Sequence, residues 1–358
     1  MMREVQTIII GAGQAGLSVA YWLQKSSSAY LILEAEGEAG ASWRNRYDSL
    51  RLFTPARYSS LPGLSMLLPG RSYPNKEDVV EYLNAYARKF NLKIKLNCRV
   101  NKLEKRDNHF VVHTNSETYI CVNVVVATGA FQDPFIPLYS SKPADSILQL
   151  HSSEYRNPGQ LKQGPVLVVG AGNSAAQIAE EVSVYYPTYM VVRDKIAFAP
   201  SSILGVSIFF WLDWLGLMKA PPETASARLL MRKGKDVYAN ELKQLIKEGK
   251  VLIKPFIKSF EDTKVIFTDG TCLEVSTIIW ATGFRNKYDW IAIPGAKNDK
   301  GELLHRNGIS FVDGLYFIGL PWQTSRGSSL LLGVGRDAQM IVETLLQRDC
   351  QRKVLHVN

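Results

Sequence analysis

The chain has 358 residues, 46% of them apolar and 21% charged, with 26 glycines, 16 prolines and four cysteines. This composition excludes a disordered, collagen-like or disulfide-scaffolded protein, and the length predicts two domains with a site between them. The formal charge of +9 invites a nucleic-acid partner until its distribution along the chain is followed.

The N-terminus, MMREVQTIIIGAG, has too short an apolar run for a secretory signal, so a cytoplasmic location is expected. VQTIIIGAGQAG predicts a strand, then a turn with Gly11, Gly13, Gln14, Ala15 and Gly16. A helix carrying Leu17, Ala20, Tyr21 and Leu23 follows. A second strand, AYLILEAE, carries Glu34 near its end. The loop after it is rich in donors, with Arg44, Arg46, Arg51 and Arg57 against Asp48, and Ser42, Trp43 and Arg44 are candidates for closing over a ligand. A later strand, VVVATG, brings Ala127, Thr128 and Gly129. The pattern then repeats. PVLVVGAGNSAAQIAEEV supplies Gly170, Gly172, Asn173, Ser174 and Ala175, TYMVVRDK supplies Arg193, and IIWATG supplies Thr282 and Gly283. From first glycine to the Ala of ATG is 116 residues in one copy (11 to 127) and 111 in the other (170 to 281). One such glycine turn is common; two at matched positions define a duplicated dinucleotide-binding unit.

The first glycine of each turn permits a tight strand-to-helix reversal, and the second lets backbone approach a diphosphate. The third, Gly16 or Ala175, lets helix pack on strand. The diphosphate then rests on the unpaired N–H groups at the helix N-terminus. Both Glu34 and Arg193 stand 23 residues beyond their first glycine. A carboxylate there accepts from a free ribose diol, whereas a guanidinium pairs with a 2′-phosphate. The first unit is therefore expected to hold FAD and the second NADPH, a pair able to pass hydride. The tail after GLYFIG places Ala338, Ile341, Val342, Leu345 and Leu346 at helical spacing, predicting a half-buried helix that folds back onto the first unit.

Four cysteines without a Cys-x-x-Cys pair, and no clustered histidines, predict neither a zinc site nor a dithiol centre. The stretch from Ile203 to Met218 is 16 residues long and contains Asp213, too short and too polar to span a bilayer. Core packing or a subunit interface is expected for it, with a membrane surface or lipophilic substrate as the alternative. Residues 219–258 hold ten Lys or Arg against four Asp or Glu, so most of the excess charge is local. No nucleic-acid motif accompanies that segment, and steering of anionic NADPH is the expected role.

The motifs GAGQAG with Glu34, ATG at 127–129, GAGNSA with Arg193 and ATGF at 281–284 resemble those of the class B flavin-containing monooxygenases. LQLHSSEYRNP resembles the FxGxxxHxxx(Y/F) fingerprint of that family. His151 and Tyr155 match its closing positions, while Asp145 and Ile147 replace its Phe and Gly. Over nearly all the chain the architecture is most similar to the small bacterial branch labelled CzcO-like. The resemblance implies an α/β fold of two Rossmann-like domains, with the NADPH domain (156–284) inserted into the FAD domain (1–155 and 285–358). It also implies FAD, NADPH and O2 as reagents, and a flavin C4a-hydroperoxide that oxygenates a nitrogen, sulfur or ketone centre of a small lipophilic substrate. On this reading no side chain is the nucleophile, Phe53, Thr54, Trp322 and Gln323 are the candidate pocket residues, and His151 is a hinge or NADP-side element. Many members carry an Asn where this chain reads SLRLFTP. That departure leaves open an NADPH-dependent reductase or oxidase passing electrons to O2, a quinone or a partner. A redox-sensing accessory of a cation transporter is a further alternative.

Overall fold

The computed structural model describes residues 2–68, 73–193, 195–233 and 236–355. Its architecture is α/β, with two Rossmann-like units, the second inserted into the first. In the first, five parallel strands lie in the order Leu315–Phe317, Thr118–Val126, Met2–Ile10, Tyr30–Leu33 and Ile94–Lys95. An antiparallel hairpin, Val100–Arg106 with His109–Thr114, extends from Thr118–Val126. Helices cover one face, and the hairpin with residues 288–303 covers the other, so the strands are apolar at consecutive positions. Ile9 and Val125 face the larger core with the Gln14–Lys25 helix, while Ile8, Ile10, Val124 and Val126 face a second core on the other side.

The second sheet is parallel throughout, in the order Val251–Lys254, Thr188–Val191, Val166–Val169, Thr277–Trp280 and Leu148–His151. One of its faces is covered by a three-stranded antiparallel sheet that buries Phe260, Val265 and Phe267 against Leu167, Val169 and Trp280. The chain crosses between units twice, and the crossings, Asp133–Pro134 and Phe284–Arg285, pair antiparallel. Leu148–His151 already belongs to the second sheet, ahead of the expected change-over at residue 156.

The duplication has a physical cause in the close approach of two backbone segments. Gly11 has φ +106° and Gly170 φ +140°, and a Cβ at either would meet the carbonyl oxygen of the ATG alanine, Ala127 at 2.8 Å or Ala281 at 2.3 Å. Each ATG strand thus closes on its own first glycine, which is why the two spacings agree. The C-terminal helix, Leu331–Leu355, returns onto the first unit as expected. It buries Ala338, Ile341, Val342 and Leu345, and Gly335 accepts from the Trp22 indole at 3.1 Å. Truncating Ile341 to Ala would cost about 2–5 kcal/mol.

The apolar stretch forms a small hairpin, Ser202–Ile203 with Val206–Ser207, and then the Ile208–Trp214 helix. Phe209, Leu212 and Met218 are buried in a cluster with Phe53, Tyr58, Tyr238 and Leu330. Core packing thus accounts for one face of the stretch, whereas Trp214 and Leu215 lie exposed. Among the described residues no helix is long and apolar enough to cross a membrane. Within the basic segment the Lys233 side chain and all of Lys235 lie outside the described residues.

Candidate functional site

Both glycine turns open onto helix N-termini that no side chain caps. Gly13 (φ −78°, ψ −175°) precedes Gln14–Lys25, and Gly172 (φ −92°, ψ 179°) precedes Asn173–Val182. A Cβ on either glycine would meet nothing within 4 Å, so each turn keeps an open cradle beside its N–H groups. By contrast, a Cβ on Gly16 would lie 1.9 Å from the Gly11 carbonyl oxygen. A diphosphate therefore fits both cradles on shape and on charge. Ala15 is buried, with its Cβ 3.2 Å from where one on Gly319 would lie, so the C-terminal loop meets the first turn. Gln14 donates to the Ser329 carbonyl at 2.9 Å, while its Oε1 is buried with no partner among the described residues.

Glu34 reaches back to its turn. Its Oε2 accepts from the Ala12 N–H at 2.6 Å and its Oε1 from the Glu36 N–H at 3.0 Å, which fixes the carboxylate beside the cradle. Arg193 is exposed and has no ion pair among the described residues. Ala175 is buried in the larger core, and the Tyr47 phenol of the first unit donates to the Gln177 side chain one turn further along the helix. Burial pushes that phenol up to about 12. In the ATG segments, Gln132 donates to Thr128 Oγ1 at 3.0 Å and to the Gly129 carbonyl at 2.8 Å, and the Thr282 hydroxyl donates to the Phe135 carbonyl. The Gly283 carbonyl accepts from His151 Nε2 at 3.0 Å. His151 Nδ1 accepts from the Ser153 N–H at 3.2 Å, which sets the neutral tautomer, and burial lowers its pKa. Nε2 thus ties His151 to the start of the second crossing, while Nδ1 is satisfied within its own turn.

Several expected side chains have other employment. Arg44 is paired with Glu38 at 2.9 Å, next to an exposed Ser42 and a half-buried Trp43. Arg57 lies 4.7 Å from the Tyr58 ring and 5.6 Å from that of Phe210, away from the expected diphosphate. The Asn173 amide clamps a neighbouring segment, accepting from the Tyr238 N–H at 2.9 Å and donating to the Asp236 carbonyl at 3.2 Å. The Thr54 hydroxyl is shared with Ser59 at 2.9 Å. Gln323 is buried, donates to the Phe317 carbonyl at 3.0 Å and accepts from the Leu320 N–H at 3.3 Å, so it braces the loop rather than lining a pocket. Trp322, half-buried, sits on that loop in the left-handed region at φ +57°, a conformation bulky residues rarely hold.

Phe53 stands where the two units meet. Its ring stacks on Tyr238 at 5.2 Å and on Phe209 at 5.9 Å. The Tyr238 hydroxyl accepts from Arg326 of the C-terminal loop at 3.1 Å, and Arg326 pairs with a largely buried Asp236 at 2.7 Å. The second glycine turn, the aromatic stack and the C-terminal loop are thereby linked through residues 236–238. A second clamp lies on the Asn173–Val182 helix. Glu181 accepts from Ser49 and from Tyr155, both at 2.8 Å, while Gln177 accepts from Tyr47 at 3.1 Å and bonds the Arg51 backbone. Near it Arg46 is held by aromatic rings, 4.9 Å from Phe131 and 5.0 Å from Phe284. Sequence reasoning missed Gln177, Glu181, Asp236, Tyr238 and Arg326; the one available signal was the i, i+4 polar pair Gln177 and Glu181 on the helix that follows the second glycine turn.

Residues 8–201 match the pyridine nucleotide-disulphide oxidoreductase family, and residues 184–304 match the flavin-binding monooxygenase-like family. The protein is accordingly an oxidoreductase of the flavin-binding monooxygenase class, which uses a flavin and a nicotinamide dinucleotide. Within that class the chain belongs to the CzcO-like branch of the class B flavin-containing monooxygenases. The uncharacterized oxidoreductase CzcO of Bacillus subtilis (strain 168) is 46% identical over 339 residues, covering 95% of this chain and 98% of the relative. A probable indole-3-pyruvate monooxygenase of Arabidopsis thaliana, YUCCA7, is 31% identical, covering 94% of this chain and 86% of its own. Among solved structures, a flavin-containing monooxygenase from Stenotrophomonas maltophilia superposes with a TM-score of 0.81 at 27% identity, covering 97% and 99% of the two chains.

Proposed function

We propose that the turn at Gly11–Gly16 holds FAD and the turn at Gly170–Ala175 holds NADPH, and that the enzyme transfers one oxygen atom from O2 to a nitrogen, sulfur or ketone centre of a small lipophilic substrate. The observation that carries this reading is the pair of matched open cradles, with Glu34 fixed beside one and an exposed Arg193 beyond the other. The Glu34 oxygens keep lone pairs for a ribose diol, and the Arg193 guanidinium is left to pair with a 2′-phosphate. The FAD unit comprises the chain before the Asp133–Pro134 crossing and after Phe284–Arg285, and the NADPH unit lies between them. When bound, the flavin supplies hydride acceptance and activation of O2. The chain itself supplies position and dryness: Gln177 and Glu181 hold the units in register, and the Phe53, Phe209 and Tyr238 rings wall the junction against water.

A second reading, an NADPH oxidase or reductase, is favoured by one observation. The 53–55 segment offers no side-chain amide, and the Thr54 hydroxyl is bound to Ser59. Anaerobic mixing with NADPH, then exposure to O2 with a panel of amines, sulfides and ketones, tests both readings. One oxygenated product per NADPH is expected. Peroxide equal to the NADPH consumed, with no product, would leave the oxidase reading, and a flavin that NADPH does not reduce would overturn both.

A further inference from the structure

We propose that the 202–207 hairpin and the Ile208–Trp214 helix form a docking ridge for an anionic membrane surface. The helix is apolar on both sides. Phe209 and Leu212 face the core, while Phe210, Trp214 and Leu215 turn outward at 37%, 71% and 58% exposure. A helix apolar all round is ordinarily buried all round, so the outer face calls for an apolar neighbour. The hairpin adds to that face. Leu204 is 90% exposed at φ +52° and Gly205 follows at φ +73°, two successive left-handed residues at the tip. Such tips favour Asn-Gly or Gly-Gly, because a branched side chain resists this backbone. Here the position carries an almost fully exposed leucine. The Trp211 indole donates to the Ile203 carbonyl at 3.4 Å, so hairpin and helix form one element.

Charge selects the occupant. The face is built by residues 53–64, 197–222 and 330–336, whose cations are Arg57, Lys219 and Arg336 and whose one carboxylate is Asp213, paired with Lys219 at 3.1 Å. Arg57 lies over Phe210, and Arg336 donates to the Lys219 carbonyl at 3.4 Å, which brings all three to the ridge. Arg336 also borders a shallow cleft of about 310 Å³ lined in part by Trp22, Leu61, Pro62 and Leu332 and in part by Ser60 and Gln339. Exposed Trp and Leu with a cationic rim are the chemistry of an element lying in a lipid headgroup layer. Two-fold pairing of this face with a second copy would bring together two faces that each carry three cations against one carboxylate, with nothing to offset the excess, whereas anionic lipid neutralises it.

The test is flotation of the full-length, flavin-loaded protein with vesicles of phosphatidylglycerol and phosphatidylcholine in equal parts, against phosphatidylcholine alone. Partition onto the anionic vesicles, falling with added salt, is expected. Leu204→Ser with Trp214→Ser should lower it about tenfold or more at an unchanged melting temperature. Equal partition onto both vesicles, no partition onto either, or a double variant that partitions as the parent does would each overturn the proposal. So would a dimer that the double variant dissociates while the parent ignores vesicles, since the ridge would then be a subunit contact.

Discussion

Replacing Gly172 by Ala separates what the turn does for the fold from what it does for a ligand. The residue lies in the β region (φ −92°, ψ 179°), which alanine adopts freely, and its new Cβ would meet nothing within 4 Å. The folded chain should therefore lose nothing, and restriction of the unfolded chain should raise stability by about 0.4–1 kcal/mol. The methyl group would instead occupy the cradle where a diphosphate approaches backbone N–H groups. Losing one or two charge-assisted hydrogen bonds there, at about 1.5–3 kcal/mol each, predicts a net loss near 2–4 kcal/mol, or roughly 30- to 1000-fold in the Kd for NADPH. The rate of anaerobic flavin reduction against NADPH concentration measures the Kd, and a thermal melt measures the fold. Gly13→Ala should act likewise on flavin retained through purification. Gly16→Ala is the control, because its Cβ would stand 1.9 Å from the Gly11 carbonyl and should destabilise the protein outright. A Gly172→Ala protein that binds NADPH as tightly as the parent would refute the cradle.

Arg193→Ala should weaken NADPH by about 5- to 30-fold, the 1–2 kcal/mol of one charge-assisted pair at an exposed position, and leave NADH nearly unchanged. Equal losses for both nucleotides, in steady-state KM values, would remove the 2′-phosphate assignment. Glu181→Ala leaves the buried Tyr155 hydroxyl and the Ser49 hydroxyl without their acceptor, and should cost about 2–3 kcal/mol in denaturant melts, part of it recovered by adding Tyr155→Phe. Burial raises Glu180 from its ordinary 4.5 to about 7. Between those values the folded chain holds a proton that the unfolded chain releases, so stability falls as pH climbs through that window. Glu180→Gln keeps an acceptor for the Leu242 N–H and should gain about 1–2 kcal/mol at pH 8 with no gain at pH 4; parallel stability curves for the two proteins would contradict the buried charge.

The duplicated units were legible because their signal is local and steric. A glycine that must pass an ATG carbonyl at contact distance leaves the same mark twice in the chain. Helical spacing likewise marked the buried stripe Ala338, Ile341, Val342 and Leu345. Side-chain employment was not legible at all. Asn173 has the position of a ligand residue, yet its amide has both partners in a segment more than 60 positions away. Arg44 and Arg46 read alike in a loop of donors, and only the fold distinguishes them, pairing one with Glu38 and setting the other between two rings. The unit boundary was misjudged for a related reason, since four residues, Leu148–His151, carry no mark of which sheet they join.

The connection through residues 236–238 has a consequence for how the two units work together. Tyr238 bonds Asn173 through its backbone, Arg326 through its hydroxyl and Phe53 through its ring face. Any shift of the second glycine turn is therefore carried to a loop of the first unit and to the C-terminal loop by one residue, Tyr238. The Glu181 clamp opposes such a shift from the far end of the same helix, where Ser49 of the first unit holds it. Rotation of the second unit has to break one attachment or carry the other with it. The Asn173–Val182 helix, gripped at its first residue and again in its last turn, is thus the element that sets how far the second unit can move relative to the first.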